Sequence, residues 1–126
     1  MKKKKVNYRK KAIDLAKKIC RRNGICAKCG KTRSEVQIQS SHILPVEYKR
    51  TATYLDNLIP LCASCHKWAK NSWHKSPLEQ TWFVRKYPGR RMRLILKAAE
   101  EKKIIFDDNY WREEFLKLKW LEEEIQ

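Results

Sequence analysis

Cys26-Ala27-Lys28-Cys29, then Ser40-Ser41-His42-Ile43-Leu44-Pro45, then Asp56-Asn57-Leu58-Ile59-Pro60-Leu61-Cys62-Ala63-Ser64-Cys65-His66 carry the reading of this 126-residue chain. Each Cys-x-x-Cys places two thiols on one tight turn, and two such turns can close a tetrahedral zinc site through Cys26, Cys29, Cys62 and Cys65. Four thiolates complete that site, so His42 between the pairs and His66 directly after them are surplus to it. The pattern reads as a zinc-stapled platform holding a second, polar site. Thirty-two residues separate Cys29 from Cys62, more than in a compact finger, and two strands with a connecting loop fit that gap. Metal closure of this kind couples to folding, at roughly 10–16 kcal/mol of apparent zinc free energy in small peptides.

Outward from the knuckles the periodicities name the elements. Asn7 is a helix cap, and Tyr8, Ala12, Leu15, Ala16 and Ile19 recur at helical spacing with Lys and Arg between them. Cys20 belongs to that helix as a small buried hydrophobe rather than a reactive thiol. Asn23-Gly24 ends it, because Gly takes the left-handed conformation of a C-terminal turn. Val36-Gln37-Ile38-Gln39 alternates as a short strand does, and Leu58–Leu61 is a second short apolar segment. Residues 46–56 form a loop or an irregular helix, and a helix is expected from Cys65 to about Asn71. Ser76-Pro77 starts another that stops near Tyr87-Pro88-Gly89. A further helix spans about Arg90–Lys102 with Met92, Ile95, Leu96 and Ala99 on its inner face. The last, Tyr110 to Glu124 after an Asp107-Asp108-Asn109 cap, turns Trp111, Phe115, Leu118 and Leu121 inward. The expected fold class is α+β, in three parts: a basic arm and helix over residues 1–24, a zinc-knuckled core over 25–75 and a helical extension over 76–126.

The formal charge is +16, and it is unevenly placed. Residues 1–34 hold 14 Lys or Arg against one acid (+13), residues 35–106 hold 13 against 6 (+7), and residues 107–126 hold 3 against 7 (−4). A basic field around the cysteine-histidine region suits a polyanion, with nucleic acid the leading candidate and an anionic membrane surface its competitor. The expected phosphate contacts are Lys2, Lys3, Lys4, Lys5, Arg9, Lys10, Arg21, Arg22, Arg90, Arg91 and Arg93. Met1 and four lysines resemble the basic end of a signal peptide, but no apolar run of the required length follows. No stretch has the ~20 apolar residues of a membrane span. Five cysteines, four in zinc-like spacing, point to a reducing interior and a cytoplasmic location.

Ser41-His42-Ile43-Leu44-Pro45, Asp56-Asn57-Leu58-Ile59-Pro60-Leu61-Cys62 and Ala63-Ser64-Cys65-His66 together resemble the HNH, or ββα-metal, endonuclease motif. The paired Cys-x-x-Cys turns are similar to its zinc-knuckle variants, the endonuclease VII type of junction resolvase and the phage NinG/Rap recombination nucleases. The specific part of the resemblance covers about residues 26–70. It implies a metal-dependent DNA endonuclease with a ββα-metal core and a structural zinc ion. By position it makes His42 the general base, Asn57 the residue that orients it and fixes the connecting loop, and His66 a ligand of a catalytic divalent metal, Mg²⁺ or Mn²⁺. The implied products are a 5′-phosphate and a 3′-hydroxyl. A phage role in recombination or DNA processing, in the host cytoplasm, and a homodimer for double-strand cutting are further implications. One departure stands out: the residue before the base is commonly Asp or His and ligates the metal, and here it is Ser41. Ser40, Asp56, Asn71 and His74 are the available compensators.

Bland readings stand beside these. His42 alone is a surface or hydrogen-bonded structural histidine, and Asn57 a turn residue capped by its own amide. His66 is then a neighbour or alternative ligand of the zinc. The five tryptophans at 68, 73, 82, 111 and 120 read mainly as packing, with stacking on exposed bases the other use. Glu122-Glu123-Glu124 reads as a solvated helix end. The alternative function is a zinc-stabilised DNA-binding module that does not cut.

Overall fold

The computed structural model describes residues 5–68, 73 and 77–125. The expectations for Lys2, Lys3, Lys4, Asn71, His74 and Ser76 therefore fall outside the described residues. Helix α1 (Tyr8–Cys20) starts as its sequence requires, with the Asn7 side chain accepting from the Lys10 amide at 3.0 Å. Ala12, Leu15 and Ala16 are its buried face. The chain leaves the helix through Gly24 at φ 64. It enters the first knuckle, where the Cys26 amide donates to the Lys31 carbonyl at 2.9 Å.

Strands β1 (Ile38–His42) and β2 (Leu58–Cys62) form one antiparallel pair, Ile38 opposite Cys62 and His42 opposite Leu58. β1 begins two residues later than the alternation at Val36 suggested. The amides of Glu35 and Val36 both donate to the Thr32 carbonyl, at 2.9 and 3.0 Å, so the knuckle's own turn takes up that stretch. Pro60 sits inside β2 without cost, because in a two-stranded sheet each strand is an edge. Its carbonyl accepts from the Ala27 amide at 2.8 Å and ties the knuckle to the sheet. Residues 43–57 run through turns to a 3₁₀ segment at Leu55–Asn57. A wide π-type turn, Ser64–Trp68, follows the second cysteine pair.

Pro77–Gln80 is a 3₁₀ turn rather than the start of an α-helix, and α2 is confined to Thr81–Lys86. Phe83 is buried against Trp73, their rings 5.4 Å apart. Gly89 (φ 78) then turns the chain into α3 (Arg90–Ala99), which gives way to a 3₁₀ segment at Glu100–Lys103. The inner face of α3 differs from expectation. Leu94 is 1% exposed, whereas Met92 is 60% and Leu96 64% exposed, with Ile95 also outward. The cause is Arg90, whose guanidinium donates to the Asp56 and Leu58 carbonyls at 2.9 and 3.1 Å and lies over the Tyr87 ring at 4.9 Å. That anchorage turns positions 90, 94 and 98, spaced one helical turn apart, toward the sheet.

Helix α4 (Asp108–Ile125) packs along α1. Trp111 and Leu118 are buried and Phe115 and Leu121 half-buried, as their spacing predicts. Glu122 is a correction to the solvated acidic end: it is buried and holds Lys18 at 3.2 Å. Trp120 is exposed and packs no core. One apolar cluster joins the sheet, Cys26 and Cys62 to Trp73, Phe83 and Leu94; a second joins Ala12, Leu15, Ala16 and Leu118 to Leu58. β2 is buried on both faces and belongs to both clusters. The molecule is thus α+β, with a two-stranded sheet beside a four-cysteine cluster and helices around it. Among the described residues no helix is long and apolar enough to cross a membrane.

The rotation of α3 is open to a direct check. Leu94→Ala removes a core side chain and should cost about 2–5 kcal/mol, whereas Leu96→Ala should stay within about 0.5 kcal/mol. Urea denaturation of the two variants measures both, and the opposite ranking would overturn this setting of the helix.

Candidate active site

The four expected cysteines converge. Their sulfur atoms all lie within 4.8 Å of one another. Cys29 and Cys62, one from each knuckle, are 3.8 Å apart at Sγ. A tetrahedron with Zn–S bonds of ~2.3 Å has edges of about 3.8 Å, so this cluster could hold a structural zinc ion. Each knuckle also turns a backbone amide onto a sulfur, Cys29 onto Cys26 and Cys65 onto Cys62, both at 3.5 Å. Burial pushes the Cys26 thiol up, but backbone amides outweigh it and hold its pKa at about 7, which favours the thiolate a metal requires. His66 is not part of this cluster.

A cleft of about 540 Å³ opens beside β1, lined among others by Lys17, Ser41, His42, His66, Lys67 and Arg91. His42 ends β1, half-buried, with Nε2 2.9 Å from the Ala52 carbonyl. A carbonyl only accepts, so Nε2 carries the proton and the neutral ring keeps its lone pair on Nδ1. Burial pushes the His42 pKa below 6.5, and Lys17 acts in the same direction; the Ala52 bond and Glu47 pull it back. The ring is therefore neutral at pH 7.

Asn57 does not hydrogen-bond to His42. Fully buried, it accepts from the Leu44 amide at 2.8 Å and donates to the carbonyls of Leu44 and Thr51, both at 3.1 Å. Those bonds fix the loop whose next residue, Ala52, holds the histidine. His66 is buried in the turn after β2, its Nδ1 2.7 Å from Gln39 Oε1. The Gln39 amide in turn donates to Gln37 Oε1 at 3.1 Å. With its oxygen so aimed, Gln39 accepts from Nδ1–H and places the ring's lone pair on Nε2. The Ser41 hydroxyl is buried and has no hydrogen-bond partner among the described residues.

The expected phosphate contacts separate into groups. Lys5 pairs with Asp108 at 2.9 Å and Lys10 with Asp14 at 2.8 Å. Arg9 lies over the Trp111 ring at 5.5 Å, and Arg22 donates to the Glu122 carbonyl at 3.4 Å. Arg90 is taken up by backbone carbonyls, as above. Arg93 is exposed beside Gly89. Arg91 alone of these reaches the His42 cleft, with Nη1 donating to Gln80 Oε1 at 3.0 Å. Arg21 lines a different cleft. Lys17, Lys67, Gln39 and Gln80 went unforeseen in the sequence. Only Gln39 had a usable signal, since the Val36–Gln39 alternation puts it on the polar side of a strand next to His42.

Residues 26–72 match the HNH endonuclease family model, and with the four-cysteine cluster this fits the HNH superfamily. The match supports a nuclease function, with DNA as the substrate or partner it implies. No curated protein and no solved structure matches the chain.

Two outcomes test this geometry. Cys→Ser at position 26, 29, 62 or 65 should lower zinc content below one ion per chain and loosen the core; elemental analysis with circular dichroism reads both. Asn57→Ala should cost at least ~2 kcal/mol, since it strands the buried Leu44 amide and the Leu44 carbonyl at about 1–3 kcal/mol per unsatisfied group; a thermal melt unchanged from wild type would refute the clamp.

Proposed function

We propose that the protein is a metal-dependent endonuclease that hydrolyses phosphodiester bonds in DNA, with His42 as the general base. The observation that carries the reading is the His42–Ala52 bond, which leaves the Nδ1 lone pair for a water in a cleft lined by Lys17, Lys67 and Arg91. A neutral imidazole at pH 7 can take that water's proton as oxygen attacks phosphorus. The three cations supply attraction for a phosphodiester and for the charge that grows on it. The water's proton goes to His42 Nδ1 and the departing O3′ takes up a proton from solvent, which gives the implied 5′-phosphate and 3′-hydroxyl. Asn57 acts at one remove, by holding the loop that holds His42.

The residues that would hold a catalytic divalent ion are His66, oriented by Gln39, and Ser41, whose buried hydroxyl is unpartnered. Such an ion would supply Lewis-acid stabilisation of the scissile phosphate and the departing O3′. An imidazole and a neutral hydroxyl suit Mn²⁺ better than Mg²⁺, which prefers carboxylate oxygens. In this reading residues 25–75 are the nuclease core, with 1–24 and 76–126 as its flanking parts. A role in recombination or DNA processing goes with the resemblance to the phage nucleases.

A DNA-binding module that does not cut is the second reading. It is favoured by Ser41 at a ligand position, and by the lack, among the described residues, of any second group of three His, Cys, Asp or Glu close enough to share an ion.

Nicking of supercoiled plasmid with Mg²⁺ or Mn²⁺ decides between them. Wild type should nick, and His42→Ala should lose about 10²–10⁴ in rate with fold and zinc content retained. His66→Ala should recover part of its activity at higher Mn²⁺. Ser41→Asp should lower the metal concentration needed for half-maximal rate. Wild type inert with every divalent ion would leave the binding module; cutting undiminished in His42→Ala would refute the HNH assignment.

A further inference from the structure

A second cleft, of about 530 Å³, lies at the start of β1, away from His42. Lys18 and Arg21 of α1, Arg33 and Ser34 of the first knuckle, and Gln37 and Ile38 line it. Arg33 is held in place: Nη2 donates to the carbonyls of Arg21 at 2.7 Å and Arg22 at 3.2 Å, across the C-terminal end of α1. Lys18 pairs with Glu122 at 3.2 Å, yet its side chain remains 70% exposed. The one acid lining the cleft, Glu35, bends into its own turn and accepts from the Thr32 amide at 3.4 Å and hydroxyl at 3.3 Å. The lining thus carries three cations against one engaged carboxylate.

This cleft and the His42 cleft are lined by different residues of the same two elements, α1 and β1. On α1, Lys17 lines one and Arg21 the other, one helical turn or ~6 Å apart on the same face. On β1, Ile38 lines one and His42 the other, four residues or ~13 Å apart. The side chains of Gln37 and Gln39 join between them at 3.1 Å. Successive phosphates along one strand of duplex DNA lie ~7 Å apart, because each step turns around the axis as well as rising along it, so ~13 Å corresponds to about two nucleotides.

We infer that the Lys18–Arg21–Arg33 cleft binds the phosphodiester backbone of the cleaved strand about two nucleotides from the cut. This rests on the nuclease reading for its register, because the distance is counted from His42. A single small anion would need only one of these cations. Three cations gathered in one cleft, one fixed and others flexible, on the same helix and strand as the His42 cleft suit a repeating anion. The contact positions the strand and reads no base.

The test uses the full chain in a His42→Ala background, so that bound DNA stays intact. The salt dependence of duplex binding is compared with and without Lys18→Gln/Arg21→Gln. The log–log slope should fall by about 2, at ~0.9 per phosphate contact. Lys18→Gln also breaks the pair with Glu122, so Arg21→Gln alone serves as the second variant, with an expected fall of about 1. Uncharged methylphosphonates walked along the strand should weaken binding most about two nucleotides from the wild-type cut, and that position-specific penalty should vanish in Arg21→Gln. An unchanged slope would overturn the inference whether or not the protein cuts. A slope that falls with no position-specific penalty would mean a diffuse cationic surface and would also overturn it. Displacement of DNA by low concentrations of inorganic phosphate would mean a free-anion site instead. If wild type cuts nothing, the nuclease reading fails, while the slope comparison still decides whether the cleft holds a strand.

Discussion

The three hydrogen bonds of the buried Asn57 side chain hold together a segment that has little else to hold it. Residues 43–57 contain no strand or α-helix, and the sheet they connect has two strands of five residues, too few to be stable alone. The amide oxygen takes the Leu44 N–H, and the amide nitrogen closes onto the Leu44 carbonyl and onto the Thr51 carbonyl, which also accepts from the Tyr54 amide at 3.2 Å. A second tie runs through the backbone, from the Ile43 amide to the Asn57 carbonyl at 2.8 Å. Asn57 directly precedes Leu58, the partner of His42, whereas Cys62 pairs with Ile38 at the other end of the ladder. The sheet is therefore pinned at one end by an amide clamp and at the other by the cysteine cluster. Either alone would leave half of the ladder to fray.

That division sets the two histidines, proposed to carry the chemistry, apart from the cysteines. A four-thiolate site is closed and leaves no position for a substrate. His42 and His66 lie off it, on the strand and turn that the cluster and the clamp together immobilise. Each ring has one nitrogen fixed by an acceptor, the Ala52 carbonyl for His42 and the Gln39 side chain for His66. Fixing one nitrogen of a neutral imidazole decides where the lone pair is, so tautomer and orientation are set before anything binds. The burial that depresses the His42 pKa then keeps that lone pair available at neutral pH.

Features with a local cause were legible in the sequence. The Asn7 cap, the helix to Cys20, β2, the last helix and the convergence of four cysteines all follow from spacings of two to four residues. Features set by a distant partner were not. β1 begins at Ile38 because Thr32 claims the preceding amides, a cost visible only once the knuckle is folded. The face of α3 was misread because Met92, Ile95 and Leu96 form a plausible apolar stripe, while the decisive contact is a cation reaching carbonyls more than thirty residues away. Arg90 belongs by sequence to a basic helix start and by structure to the packing of the sheet. The site was half legible: motif positions marked His42 and His66, but the partners that orient them, a backbone carbonyl and one glutamine among several polar residues, have no motif.

Net charge gave a direction without an address. The basic residues near the N-terminus were the natural choice for a DNA track, yet α4 covers much of that surface with an acidic and aromatic face. Asp108 holds Lys5, Trp111 lies under Arg9, and Phe115 lies under Lys11 at 5.7 Å. Such exposed pairs add little stability. Their effect is on the shape of the field, because a cation beside a carboxylate attracts a phosphate less than one beside an amide or hydroxyl. What remains least neutralised on α1 is the edge bearing Lys17 and Arg21, which faces β1 rather than α4. The acidic face of α4 thus engages cations on its own side and leaves Lys17 and Arg21 on the side of α1 that lines the two clefts along β1.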